Sequence, residues 1–141
     1  MYKSLPDIHM SSFGQDETIR EELAKLLASA YAPYSKFHVA AAVIDEDDKI
    51  HYGVNVENQS YPVGTCAEAG AIAAMFVAGG RRIKKLYLLS EPNVEAVPCG
   101  ACRQRLAEFG ERDTPIATFR TDGSLSIFRL EELFPNSFRF K

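Results

Sequence analysis

The sequence predicts an α/β layer sandwich, on three observations. Apolar runs of strand length recur along the chain. An amphipathic helical stripe precedes them, and two alanine-containing stretches of helical length, each stopped by glycine, lie between them. Strands that alternate with helices bury their apolar faces layer against layer, and that is the architecture such a pattern specifies. The 141 residues suit one domain with its own core. Hydrophobic residues make up 46% and charged residues 25%, the values of an ordinary soluble globular chain.

Residues 1–15 show no clear periodicity and read as a loosely held N-terminal arm, with a single domain over 16–141. From Asp16 onward, Ile19, Leu23, Leu26, Leu27, Ala30 and Tyr31 share one helical face. Asp16 is the expected cap, and Pro33 ends the run. Phe37 to Ile44 is an apolar run short enough for a buried strand, and Ile50 to Val54 is its return. Between them Asp45-Glu46-Asp47-Asp48 reads as a solvated hairpin tip and not as a cation site.

Asn55-Val56-Glu57-Asn58 and Tyr61-Pro62-Val63-Gly64 follow that second strand. Polar residues just past a strand end are well placed to meet a ligand, although Asn and Gly also suit plain turns. Cys66 to Ala78 reads as a helix stopped at Gly79-Gly80. The basic cluster Arg81, Arg82, Lys84 and Lys85 reads as a solvated helix-to-strand connection. Leu86 to Leu89 is a short buried strand, and the loop Glu91 to Val97 leads to Pro98. Gly100 to Phe109 is a second small-residue helix, closed by Gly110. Pro115 to Phe119 and Leu125 to Phe128 are two more strands around the turn 121–124. Leu130 to Phe134 is a helical turn, and Phe138 and Phe140 lie in the tail.

The chemistry concentrates in Cys66-Ala67-Glu68 and Pro98-Cys99-Gly100-Ala101-Cys102. Cys66, Cys99 and Cys102 are the only cysteines, and three thiolates are a sufficient protein ligand set for a catalytic zinc with one open position. Both runs open predicted helices, whose N-termini favour thiolates. Three thiolates on Zn²⁺ leave a formal charge of −1, which helix dipoles and N–H···S bonds offset. Zinc brings a bound water toward neutral pKa. Glu68, two residues past the first ligand, is the candidate to take that water's proton, pass it to a ring nitrogen and then to a leaving amine. A zinc site with His/Cys/Cys or three Cys and a non-ligating Glu is the pattern of zinc deaminases. A purely structural zinc would want a fourth protein ligand, and none of His9, His38 and His51 has a ligand spacing.

With these motifs the chain resembles the cytidine deaminase family, in its small, homotetrameric, three-cysteine branch. The resemblance runs from about Ile19 to Phe138 and rests on four runs together. They are Tyr34-Ser35-Lys36-Phe37-His38-Val39, Asn55-Val56-Glu57-Asn58, Cys66-Ala67-Glu68 and Pro98-Cys99-Gly100-Ala101-Cys102-Arg103-Gln104. It implies a three-layer α/β/α sandwich around a five-stranded mixed sheet. It implies one zinc per chain and hydrolysis of cytidine and 2′-deoxycytidine to uridine and 2′-deoxyuridine. Asn55 and Glu57 match the pair that holds the ribose hydroxyls, Phe37 an aromatic wall, and Ala67 the residue whose backbone touches the base. Tyr61 and Phe138 match residues that reach toward a neighbouring subunit's site in the tetramers. Three departures stand out. Ala69-Gly70 replaces the Arg-Thr pair that commonly follows Cys-Ala-Glu, with Arg103 as the expected compensating cation near the thiolates. Gln59 stands at a usually small position, and Ala40 replaces the usual Gly. A deaminase of a modified cytidine or of a blasticidin-type aminopyrimidine nucleoside is the alternative these departures raise.

A net charge of −3 argues against a phosphate backbone as partner, and Glu57 would repel one. The non-enzyme alternative, an idle nucleoside- or nucleic-acid-binding relative, sits poorly with Glu68. No apolar run has the length of a membrane span and no secretory signal is legible, so a cytoplasmic protein is expected. An odd cysteine count suits thiolate ligands in a reducing compartment better than disulfides.

Overall fold

The computed structural model describes residues 5–91 and 94–140, with side chains described from residue 14 onward. The elements are α1 (Leu5–Leu26), β1 (His38–Asp45), β2 (Ile50–Val54), α2 (Ala67–Val77), β3 (Ile83–Glu91), α3 (Gly100–Phe109), β4 (Pro115–Phe119), β5 (Leu125–Arg129) and α4 (Leu130–Leu133). The sheet runs in the order β2-β1-β3-β4-β5. Its β3–β4 pair is parallel and the other pairs are antiparallel, so the sheet is mixed. The parallel pair needs a crossover, and α3 supplies it.

The centre of the sheet is apolar on both faces. In β1 and β3 every residue from Ala40 to Ile44 and from Leu86 to Leu89 is buried. One face of β1 packs Ala40, Ala42 and Ile44 with Tyr87 and Phe119 against Ile19, Leu23 and Leu27 of the first helical segment. The other face packs Ala41, Val43, Leu86, Leu88 and Ile116 against Ala71, Met75, Leu106 and Leu130. Helices therefore cover both faces, giving the three-layer α/β/α sandwich with five strands.

The first helix departs from expectation. It begins at Leu5, not at Asp16, so the helix takes in most of the stretch read as an arm. Pro6 sits in its first turn, where a missing N–H costs nothing. Asp16 is not a cap. Its carboxylate is buried inside the helix and accepts a hydrogen bond from the Tyr87 hydroxyl, which ties α1 to β3. The helix ends in a 3₁₀ turn at Leu27–Ser29, before Pro33, and Tyr31 is exposed.

The acidic hairpin tip is less solvated than its composition implies. Asp45 is 2% exposed and accepts bonds from the N–H groups of Asp47 and Lys49 and from His51 Nε2 at 2.7 Å. The basic cluster meets the same turn. Glu46 accepts from the backbone of Arg81 and Arg82, and Lys84 pairs with Asp48 at 2.6 Å. Glu46, Asp47 and Asp48 stay exposed, as expected of a hairpin tip, so Asp45 is the residue that departs from that reading, and Lys84–Asp48 is the ion pair that joins the two charge runs.

Two details set the position of α2. Gly53 in β2 has no room for a side chain, because a Cβ there would stand 2.2 Å from Ala71 N and 2.4 Å from Ala67 O. The helix can lie against the strand only because position 53 is glycine. At the other end, Gly79 has φ +99°, with Gly79 N–H donating to Phe76 O and Gly80 N–H to Met75 O. This is the Schellman stop expected of Gly79-Gly80.

Candidate active site

Cys66 is the N-cap residue of α2, and Cys99 is the N-cap residue of α3. Cys102 lies in the first turn of α3 and is fully buried. The two helix N-termini converge, so residues 33 positions apart bring sulfurs to 4.0 Å for Cys66 and Cys99. All three sulfurs lie within 4.8 Å of one another. Ligands at about 2.3 Å from a tetrahedral zinc stand roughly 3.8 Å apart, so the cluster has the right size for the ion.

The ionisation of the three thiols points the same way. Burial pushes the Cys66 thiol up, and Cys99 adds to it. Burial also pushes Cys102 up, with Glu68 and the other two sulfurs contributing. At Cys99 burial acts in the same sense, but the Cys102 N–H, the neighbouring thiols and the Ala101 N–H outweigh it and hold the thiol below its ordinary value. Without a cation, burial and mutual repulsion thus work against thiolates at Cys66 and Cys102, while backbone N–H groups favour one at Cys99. Thiolates this close repel each other, and a divalent cation among them removes that repulsion. The donor set fits zinc.

Glu68, in the first turn of α2, is 5% exposed. Burial pushes its carboxyl up from the ordinary carboxylate range, while its own N–H, the Cys102 thiol and the Arg105 charge pull downward. The carboxyl opens on a cavity of about 570 Å³. Cys66, Cys99 and Ala67 line the same cavity. Phe37, Val39, Leu88 and Val97 give it apolar walls, and Asn55, Glu57 and Tyr61 also line it.

Asn55 and Glu57 also have structural work that the sequence did not announce. Asn55 Oδ1 accepts from Val39 N–H at 2.8 Å, and Nδ2 donates to Phe37 O at 2.8 Å. This clamps the start of β1 and fixes Phe37 at the cavity wall. Glu57 accepts from the Ser35 hydroxyl and from the N–H groups of Ser35 and Tyr34, the last at 3.0 Å. The Ser35 bonds hold the Glu57 carboxyl below its ordinary range. They also close a loop in which Lys36 takes φ +61°. Each side chain keeps hydrogen-bonding capacity for a ligand.

Phe138 and Arg103 do not line the cavity of their own chain. Phe138 is 66% exposed and packs on Phe140, with its carbonyl held by Gln104 Nε2. Arg103 donates to Pro98 O and Leu133 O, both at 2.7 Å, and so braces the loop before Cys99. The guanidinium that reaches a thiol is Arg105, with Nη1 3.3 Å from Cys102 Sγ. Arg103 stands four residues past Cys99 and Arg105 three past Cys102, so helical spacing allows either to approach a thiol, and the structure turns Arg103 to backbone oxygens and Arg105 to sulfur. Two other departures lie off the cavity: Ala40 packs on the α1 side of the sheet and Gln59 is exposed.

An α/β/α sandwich that gathers three thiols and a buried carboxylate at two helix N-termini defines a zinc enzyme of the deaminase class. The model of the cytidine and deoxycytidylate deaminase zinc-binding region matches residues 14–118. The chain belongs to the cytidine deaminase family, and its three cysteines fit one zinc ion per chain. It is 38% identical over 124 residues to a cytidine deaminase of Mycoplasma genitalium, covering 87% of this chain and 95% of that protein. The crystal structure of a cytidine deaminase from Burkholderia pseudomallei is similar with a TM-score of 0.76 at 34% identity, covering 84% of this chain and 94% of that one. The Mycobacterium tuberculosis cytidine deaminase structure is similar with a TM-score of 0.73 at 34% identity, covering 86% and 94%.

Proposed function

We propose that the protein hydrolyses cytidine and 2′-deoxycytidine to uridine and 2′-deoxyuridine, releasing ammonia. The observation that carries this reading is one cavity lined both by the Cys66 and Cys99 thiols with Glu68 and by Asn55 and Glu57. A nucleoside has the matching polarity, with an amine-bearing flat base and a diol-bearing sugar. Cys66, Cys99 and Cys102 would hold a zinc ion, whose chemistry when bound would be to bring the pKa of a water near neutral. Glu68, buried and short of solvent, would take one proton from the water that attacks C4 and pass it to N3. It would then carry the second from the new C4 hydroxyl to the amine, which leaves as ammonia while the C4 carbonyl forms. The Ala67 backbone meets the base edge, and Phe37 with the aliphatic wall excludes water from it. The Asn55 amide and the Glu57 carboxylate bind the sugar hydroxyls. Ala40 and Gln59 lie off the cavity, which favours the ordinary nucleoside over a modified or blasticidin-type one. Free thiols in a metal site suit a reducing, cytoplasmic setting. Among the described residues no helix is long and apolar enough to cross a membrane.

Glu57→Ala tests the sugar assignment. Hydrogen bonds to a charged group contribute about 1.5–3 kcal/mol, so kcat/KM for cytidine should fall roughly 10–100-fold. Free cytosine lacks the hydroxyls and should lose far less. The loop that Glu57 closes is common to both reactions, so the ratio isolates the sugar. Equal losses for the two compounds would refute the role.

A homotetramer with shared sites is what the resemblance implies, and the exposed aromatics are surface that such a contact would cover. Tyr61 is 74% exposed at the cavity and Phe140 is 90% exposed in the tail, whereas Phe134 packs against its own core. Apolar surface of this kind marks a contact. Truncation before Phe138 should leave zinc bound and raise KM for cytidine. A fully active monomer in sedimentation at micromolar concentration would rule out shared sites.

A further inference from the structure

We propose that Arg105 is the positioning cation of the zinc centre, holding the Cys102 thiolate and offsetting the surplus negative charge of a three-thiolate site. The argument starts from charge. Three thiolates around Zn²⁺ carry a net −1, and Glu68 stands beside them, so the centre calls for a nearby positive charge. The position directly after Glu68 offers none, because Ala69 ends at Cβ and Gly70 has no side chain. Of the arginines near the site, Arg103 spends its guanidinium on Pro98 O and Leu133 O. Arg82 is bound to Gly110 O and Glu111 on the far end of α3. Among the described residues, Arg105 is the one whose side chain donates to a thiol.

Its geometry suits the task. Arg105 is one helical turn past Cys102 on α3, the spacing at which side chains share a face. Its Nη1 reaches the most buried of the three sulfurs at 3.3 Å. Neither Arg105 nor Cys102 lines the cavity, so the cation meets the sulfur cluster away from substrate. Arg105 is itself exposed, and its planar guanidinium donates a directed N–H to the sulfur while the rest of the group stays in water. Groups that hydrogen-bond to a metal ligand tune both metal retention and reactivity, and their loss typically costs about 10–100-fold in one or the other.

The inference rests on the zinc site and not on the choice of substrate, so its test reads zinc directly. Zinc-loaded wild type, Arg105→Gln and Arg105→Lys are titrated with a chromophoric chelator at neutral pH. Cobalt-substituted samples report the thiolate-to-metal absorption. Arg105→Gln should weaken zinc retention by about 10-fold or more and shift the cobalt–thiolate band. Arg105→Lys, which keeps the charge, should recover most of that loss. KM for the nucleoside should stay within about two-fold in both, because the side chain does not face the cavity. Zinc affinity and cobalt spectrum unchanged in Arg105→Gln would overturn the proposal. So would a Lys variant that loses zinc as readily as the Gln variant. Should Arg105→Gln not fold, the Lys variant and Arg105→Met, which keeps the stem, are judged by the same two readings.

Discussion

Glu68→Gln should keep its zinc and its fold and lose deamination by roughly 10²–10⁴-fold or more. Gln has the same shape as Glu and still fits the first turn of α2. Its amide cannot accept and return a proton near neutral pH, so water activation, ring protonation and amine departure all lose their shuttle. The site also discourages a substitute. Glu68 is 5% exposed, and the cavity walls around it are largely apolar, so bulk water is poorly placed to carry the proton. Single-turnover assays with metal analysis on the same sample check the result. Activity within a few-fold of wild type would show that another group moves the proton.

Cys102→Ala should empty the zinc site and abolish activity with little loss of packing. Removing one buried sulfur deletes apolar volume comparable to one methylene, about 1 kcal/mol. The loss of ligand is far larger in effect, since Cys66 and Cys99 alone leave a two-thiol site at the cavity edge. Metal that binds only the folded chain also stabilises it. The melting temperature of the variant should therefore lie within a few degrees below that of wild type stripped by chelator, and zinc addition should raise only the wild type. Zinc near one per chain in Cys102→Ala would show that the ligand set is drawn wrongly.

The sequence made the site legible because the chemistry is local there. Cys66 and Glu68 lie two residues apart, and Cys99 and Cys102 share one turn, so their spacing marks them as candidates, and the fold brings the three sulfurs within 4.8 Å with Glu68 on the same cavity as Cys66 and Cys99. The strands were legible for a similar reason: runs such as Pro115–Phe119 are apolar throughout and bounded by turns. Contacts between distant segments were not. Asp16 reads as a cap until Tyr87, on β3, takes its carboxylate. The acidic turn reads as solvated throughout, and Glu46 to Asp48 are exposed, but Asp45 is buried against His51 of the returning strand. Glu57 reads as a ligand residue, and only the fold reveals that it also closes the Tyr34–Ser35 loop. Arg103 and Arg105 differ by two residues, yet the helix turns one toward Pro98 O and the other toward Cys102.

The central claim is that this cavity deaminates a pyrimidine nucleoside using the metal held by its three cysteines. The most direct measurement is ammonia release from cytidine, 2′-deoxycytidine, cytosine and a blasticidin-type nucleoside, by protein purified without chelator and assayed for zinc. The account predicts about one zinc per chain, equal molar ammonia and uridine or 2′-deoxyuridine from the first two compounds, and much slower turnover of cytosine. Zinc-loaded protein that releases no ammonia from either cytidine or 2′-deoxycytidine would contradict it.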